Sequence, residues 1–241
     1  MRHRQVPRVL IGIQARSTST RFPNKAAAMI GDKTMTEHVL HNVDESVAFL
    51  RRNLQDPVEF NVALLIPEGD PLKRLSARYQ IVEGSEHDVL SRYQSAFSFY
   101  RPDYLVRLTA DCPLLPDFVI SKHIRSALYG NLDYITNGDP RFRTALDGHD
   151  CEVISKRLFR WVVENAVKPY DREHVSTLIK TDALPDWARV GNIIGYSDLS
   201  HIKLSVDTPE DLENVRAAYN KIEDTLNRAK TYRSNSVVFR L

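Results

Sequence analysis

The chain has 241 residues, of which 42% are hydrophobic and 27% charged, with a formal net charge of +2. That suits one large globular domain with a real core, and the net charge is too small to argue for nucleic acid as a bulk partner, so none is expected. No apolar run approaches the roughly 18 residues needed to span a bilayer, so no membrane partner is expected.

The basic start, Met1 to Gln5, runs into a strand-like segment without a signal-peptide pattern, which points to a cytoplasmic protein. Cys112 and Cys151 are the only cysteines, so there is no disulfide framework; one bridge between them is possible, and two free thiols are expected. The eight histidines lack metal-ligand spacing.

Short apolar runs alternate with amphipathic stretches. Residues 9–13 form a strand, 35–50 a helix with Val39, Leu40, Val43, Val47 and Leu50 on one face, and 61–66 a second strand closed by Pro67. A short helix over 71–79 and a short strand at 81–82 follow, then a helix over 89–100 and a strand over 104–108. Residues 116–129 are helical, with Pro116 suited to a first helical position. The second part is less regular. Strands are expected at 132–136 and 151–154 around a turn-rich loop, helices at 155–165 and 172–180, and strands at 190–194 and 202–206. A last helix starts near Pro209 and runs into the 220s, followed by a basic tail ending near Val237-Val238-Phe239. This alternation predicts an α/β fold: a mixed, mostly parallel sheet with helices on both faces and ligands beyond the carboxyl ends of the strands.

The loop after the first strand carries Arg16, Arg21 and Lys25 among the hydroxyls of Ser17, Thr18, Ser19 and Thr20, with no acidic residue before Lys25. Arginine forks, a lysine charge and loop donors are what a triphosphate requires. The alternative is a solvated polar loop. The Gly-x-x-x-x-Gly-Lys order of a P-loop and the Gly-x-Gly-x-x-Gly of a dinucleotide fold are both absent.

Two predicted strands end in an aspartate shortly before a proline: Asp111 before Cys112-Pro113, and Asp207 before Thr208-Pro209. Brought together, the two could hold one Mg²⁺ through hard oxygen ligands. Asp207 could equally cap the following helix, although Thr208 can do so with Asp211 three residues on. Asp111 could be a turn residue.

The segment Ala15-Arg16-x-x-Ser19-Thr20-Arg21-Phe22-Pro23-x-Lys25 resembles the nucleotide loop of CMP-sugar synthetases such as CMP-KDO synthetase and acylneuraminate cytidylyltransferase. The likeness is closer to cytidylyltransferases of the spore coat polysaccharide biosynthesis protein F type. It continues through Gly84-Ser85-Glu86-x-Asp88-Val89-Leu90, Arg107-Leu108-Thr109-Ala110-Asp111-Cys112-Pro113, Asp147-Gly148-x-Asp150-x-Glu152, Asp171-Arg172-Glu173-His174 and Val206-Asp207-Thr208-Pro209.

The resemblance implies a single nucleotide-diphospho-sugar transferase domain of the GT-A, Rossmann-like type. Its nucleotide-binding part would span about residues 7–130, its acceptor and dimerisation part about 131–200, and its metal-ligand strand and last helix about 201–228. It implies CTP as donor, Mg²⁺ as cofactor and a homodimer. Arg16, Arg21, Lys25 and Asp111 would be catalytic, and Asp111 and Asp207 would hold the metal. Gln14, Ala15, Ser19, Thr20, Ser85, Asp88, Val89, Arg107, Thr109 and Ala110 would complete the nucleotide site, with the loop over 84–90 against the cytosine. Asp88 could instead cap the helix that follows.

Candidates for binding a small acidic acceptor are Arg141, Asp147, Asp150, Glu152, Arg172, Glu173 and His174, with Arg143 as a further cation. Asp171 could simply start a helix. Three departures stand out: Ser17-Thr18 where the group often has Met-Gly, Asn24 in place of a glycine, and His149 and Cys151 in place of apolar residues. Asparagine tolerates left-handed backbone, so the turn at Asn24 is expected to survive.

The expected chemistry is attack of an acceptor oxygen on the α-phosphorus of CTP with release of pyrophosphate. A glycosyltransferase using a sugar nucleotide, and a non-catalytic nucleotide-binding subunit, are the alternatives.

Overall fold

The computed structural model describes residues 6–181 and 183–234. The basic residues 1–5 and the terminal Val237-Val238-Phe239 lie outside the described residues.

In chain order the elements are β1 (Arg8–Gln14), β2 (Met29–Ile30), β3 (Lys33–Thr34), α1 (Met35–Asn53), β4 (Glu59–Pro67), β5 (Gln80–Gly84), α2 (Val89–Tyr100), β6 (Tyr104–Thr109) and α3 (Asp117–Gly130). The second part holds β7 (Tyr134–Thr136), β8 (Glu152–Ser155), α4 (Lys156–Asn165), α5 (Pro169–His174), β9 (Val190–Asn192) and α6 (Pro209–Ser234). Short 3-10 turns cover Lys25–Ala27, Pro71–Ala77 and Thr177–Lys180.

Seven strands form one sheet in the order β5-β4-β1-β6-β8-β7-β9, and β2 and β3 form a separate antiparallel hairpin. β5, β4, β1 and β6 run parallel, β8 runs against β6 and β7, and β9 runs with β7. The mostly parallel, two-faced architecture expected from the sequence is therefore the one observed.

Side-chain alternation in β1 explains it. Val9, Ile11 and Ile13 belong to an apolar cluster with α1 and α3 residues such as Leu40 and Ile120. Leu10 points into a second cluster with Tyr93 and Phe97 of α2 and Phe159 of α4. A strand buried on both faces needs such a continuous apolar run. Gly12 shares that second face, where a Cβ would stand 2.7 Å from the Tyr93 ring. The Tyr93 hydroxyl in turn reaches the Gly12 carbonyl at 3.3 Å.

Four local expectations change. Residues 202–206 are not a strand; they make only an isolated bridge between Lys203 and Asp147. Their backbone bonds go to loops: Leu204 N–H donates to Asp147 O, and Val206 N–H to Asp111 O. The helix expected over 172–180 breaks at Val175, whose φ is +62°. Asp171 does not start a helix: α5 begins at Pro169, with Lys168 as its cap residue. Pro116 is the cap residue of α3 rather than its first helical position. The β2–β3 hairpin, too short for any periodic signal, is an addition.

Ile30, Met35, Val206, Leu212 and Val215 form a third apolar cluster. It fastens α6 to the hairpin and buries Val206 beside Asp207. Thr208 caps α6 as expected, its hydroxyl accepting from Asp211 N–H at 3.2 Å while the Asp211 carboxylate takes the N–H groups of Asp207 and Thr208 at 2.9 Å.

Gly148 sits at φ +104°, and a Cβ there would lie 2.5 Å from the Leu204 carbonyl carbon and 2.6 Å from Ser205 N. Gly148→Ala is expected to lower stability by at least about 2 kcal/mol, because strain and backbone overlap add. Urea unfolding of the variant beside the parent checks this.

Candidate active site

The carboxyl ends of β1 and β6, the loop after β1 and the segment before α6 enclose a cavity of about 490 Å³. Gln14, Ala15, Arg16, Ser19, Thr20, Arg21 and Lys25 line one side. Arg107, Thr109, Ala110, Asp111 and Asp207 also border it.

At its centre the Lys25 ammonium lies 3.5 Å from Asp111 Oδ2 and 3.3 Å from Asp207 Oδ1, and donates to the Val206 carbonyl at 2.7 Å. Arg21 Nη2 reaches the same Asp207 oxygen at 3.1 Å. The cations and carboxylates of two distant segments thus converge on one concavity. Burial alone would raise the pKa of Asp207, but Lys25, Arg21 and Lys203 outweigh it and hold the carboxyl below its ordinary value.

The loop after β1 is built on a buried anchor. Asp70 accepts from Ser17 N–H at 2.7 Å, from the Ser17 hydroxyl at 2.8 Å and from Leu72 N–H at 2.9 Å. Thr18 donates to Glu86. The Ser17-Thr18 pair therefore ties the loop to two neighbouring segments. Asn24 adopts the left-handed conformation expected of it, with φ 56°.

Beneath the loop the fully buried Arg92 donates to the carbonyls of Ala15 and Leu65 at 3.3 and 3.0 Å. Arg92 also borders the cavity. A hydrophobic-face position in α2 gave no hint of this role in the sequence.

The far wall is acidic. Asp147, Asp150, Glu173, His174 and Ser205 line it. Arg143 clamps the two aspartates, at 3.5 Å from Asp147 and 3.1 Å from Asp150. Burial raises the pKa of Asp150, and Arg143 offsets only part of that. Glu173 and His174 end α5, where Ser176 N–H bonds back to the His174 carbonyl at 2.6 Å across Val175. A valine at positive φ in so tight a turn is a strained conformation.

The model of a family described as cytidylyltransferase matches residues 10–54, which contain the whole cationic loop. The protein MJ1063 of Methanocaldococcus jannaschii is 31% identical over 210 residues, covering 85% of this chain and 80% of that protein. Spore coat polysaccharide biosynthesis protein SpsF of Bacillus subtilis is 27% identical over 223 residues, covering 88% and 87%. A solved cytidylyltransferase from Leptospira borgpetersenii superposes with a TM-score of 0.76 at 26% identity, covering 96% of this chain and 99% of that one. This chain belongs to the cytidylyltransferase family. It is a nucleotidyltransferase enzyme.

The remaining candidate residues of this cytidylyltransferase lie as follows. Val89 borders the cavity, whereas Ser85 and Asp88 are outside its lining. Ser85 accepts from Asp88 N–H, and Asp88 caps α2 through Ser91 N–H at 2.9 Å. Asp88 also pairs with Arg172 at 2.7 Å, which takes Arg172 away from the cavity. Arg141 pairs with Asp139 outside the lining.

Glu152 is buried behind the wall, where it meets Arg107 at 2.8 Å, Lys180 at 2.6 Å, Tyr134 at 2.8 Å and Ser176 at 2.8 Å. Burial would raise the pKa of Glu152, but Arg107 and Lys180 outweigh it and hold the carboxyl well below the usual carboxylate range. Arg107 Nε is buried without a partner beside the cavity. Cys112 and Cys151 are both free and buried, and burial pushes both thiols up. Burial also pushes His149 down to about 4, so its imidazole is neutral at pH 7.

Asp207 rests on Asp211, and Asp211 gives a measurable acid response. Burial works against ionisation there, but Lys203 and the N–H groups of Asp207 and Thr208 hold the carboxyl down to about 2. A depressed carboxylate contributes stability that is fully present above its unfolded value of 3.8 and lost as pH falls through about 2. Thermal unfolding of Asp211→Asn from pH 5 to pH 2 is expected to show a lower midpoint at pH 5 and a shallower acid decline than the parent.

Proposed function

We propose that this cytidylyltransferase transfers CMP from CTP to a small acidic acceptor, releasing pyrophosphate, with Mg²⁺ held by Asp111 and Asp207. The reading is carried by the Lys25 ammonium, which lies within 3.5 Å of both Asp111 and Asp207 in the cavity that Arg16 and Arg21 also line.

The donor set fits such a metal. Among the described residues no group of three or more histidine, cysteine, aspartate or glutamate side chains could hold an ion alone. Two hard carboxylates leave the other positions to phosphate oxygens and water, which is how Mg²⁺ is usually bound. Bound there, the ion would neutralise charge on the phosphates during in-line displacement.

Arg16, Arg21, Lys25, Ser19 and Thr20 receive the β- and γ-phosphates and stabilise the pyrophosphate as it leaves. Gln14, Ala15, Val89, Thr109 and Ala110 border the nucleoside, and Arg107 adds a positive charge to the cavity wall beside the α-phosphate or the acceptor's acid group. Asp147, Asp150, Glu173 and His174 face the acceptor and take its hydroxyl groups, orienting one oxygen toward the α-phosphorus. Glu152 and Arg172 are positioning residues: Glu152 fixes Arg107, and Arg172 fixes α5 against α2. Ser85 and Asp88 hold the start of α2 and thereby the base-side loop. Arg141 braces the loop before Asp147 through Asp139.

A homodimer belongs to the same reading. β9 is the last strand at one sheet edge, and Trp187, Val190, Ile194, Tyr196, Leu199 and Ile202 around it are exposed. A second copy covering that edge would bury them and remove an open strand. Among the described residues no helix is long and apolar enough to cross a membrane. CTP as donor fits a cytoplasmic location.

Pyrophosphate release from CTP and Mg²⁺ in the presence of acidic sugars, organic phosphates or phosphonates tests the reaction. Lys25→Ala and Asp111→Asn are each expected to lower turnover by at least about 100-fold with an unchanged circular dichroism spectrum. Near-parent rates in either variant would remove that residue's role, and release of a nucleoside diphosphate instead of pyrophosphate would move the reaction to glycosyl transfer. Sedimentation equilibrium is expected to give twice the chain mass, and a monomer for the double variant Ile194→Asp, Tyr196→Asp.

A further inference from the structure

A second cavity, of about 370 Å³, lies at the opposite end of the sheet, where β1 begins. β1 rises about 20 Å between the two ends. Arg8, Arg101, Lys156 and Arg160 line the second cavity with the single carboxylate of Glu164. Among the described residues none of these four cations forms an ion pair. Arg8 Nε is buried without a hydrogen-bond partner. The floor is apolar, formed by Phe97 and Phe159, stacked with ring centroids 4.6 Å apart, and by Val163.

The backbone holds these cations in place. Asp103 accepts from Arg8 N–H through its carboxylate at 3.0 Å, and its carbonyl accepts from Lys156 N–H at 2.8 Å. β1 and the start of α4 are thereby joined at one corner. Arg101 closes α2 in the left-handed conformation, with φ 48°, where glycine or asparagine is the usual choice. Its N–H bonds to the Phe97 carbonyl at 2.9 Å, so the turn is well formed despite the side chain.

Four cations around an apolar floor, with one acid among them, are not a self-satisfied surface network. We propose that this cavity is a second ligand site, separate from the nucleotide cavity, that takes a small organic phosphate with an apolar body. Arg8, Arg101, Lys156 and Arg160 take the phosphate oxygens, with guanidinium forks suited to paired contacts. The apolar part rests on the Phe97–Phe159 floor, in the manner of a mainly apolar pocket with a few convergent polar groups. Gln94 also lines this cavity and accepts from Arg172 Nη2 at 3.3 Å. Arg172 in turn pairs with Asp88 at the start of α2, and α2 lends Val89 and Arg92 to the nucleotide cavity and Gln94 and Phe97 to this one.

Isothermal titration calorimetry of the full chain with phenyl phosphate tests the site. Saturable binding is expected to the parent and, with an unchanged Kd, to Lys25→Ala, whose substitution lies in the other cavity. The double variant Arg101→Ala, Arg160→Ala is expected to bind at least tenfold more weakly. Both side chains are exposed, and an unchanged thermal midpoint shows that this fold is intact. Inorganic phosphate is expected to bind at least tenfold more weakly than phenyl phosphate.

Binding lost in Lys25→Ala but kept in the double variant would return the ligand to the nucleotide cavity. No saturable binding to the parent, or equal affinity for the two phosphates, would overturn the proposal. Sedimentation with phosphatidic acid vesicles is expected to leave the protein in solution; pelleting that the double variant abolishes would replace a free organic phosphate with a lipid headgroup.

Discussion

The Lys25 ammonium is the point on which the rest of the site depends. It lies between Asp111, at the end of β6, and Asp207, beside the start of α6, and donates to the carbonyl of Val206. The two aspartates are nearly a hundred residues apart, and neither would hold its place by local structure alone. Two carboxylates that share one ammonium repel each other, and Lys25 between them, helped by Arg21 and Lys203 at Asp207, offsets that repulsion. In the proposed reaction the same group would turn from its carboxylates toward a polyphosphate. The cost of bringing two anions together is thereby offset in both situations by the same few side chains.

That centre is supported from behind by two buried networks. Asp70 pins the cationic loop at Ser17, and Glu152 gathers Arg107, Lys180, Tyr134 and Ser176 under the acidic wall. Both carboxylates are almost wholly buried and fully surrounded by donors, which is the condition under which a buried charge rigidifies a structure. The residues around the cavity therefore depend on partners that a substrate would not touch. Glu152 and Arg172 illustrate the difference between being near a site and lining it.

Much of this was legible in the sequence. β1, β4, β6 and the helices α1 to α4 follow from apolar runs and helical periodicity, because both faces of the sheet must be buried. The cation-rich loop and Asp111 stood out through their positions after strands, and Asp207 through its place between an apolar run and a helix start. What escaped was fixed by distant partners. Asp88 looks identical as a cap or as a ligand until Arg172, 84 residues away, is seen beside it. Asp70 carries no signal of its bond to Ser17, 53 residues earlier. Residues 202–206 have the composition of a strand, but loops take their backbone hydrogen bonds. The break at Val175 runs against the preference of a β-branched residue, so no propensity could announce it.

That break has a consequence for how the acidic wall can change. Val175 is completely buried in an apolar cluster, while the backbone folds back on His174 through the Ser176 N–H. The direction in which Glu173 and His174 face is thus decided by the interior beneath α5. Ile179 and Phe159 belong to the same apolar cluster as Val175, so changes in the core can reshape the acidic wall while every residue on the cavity surface stays the same.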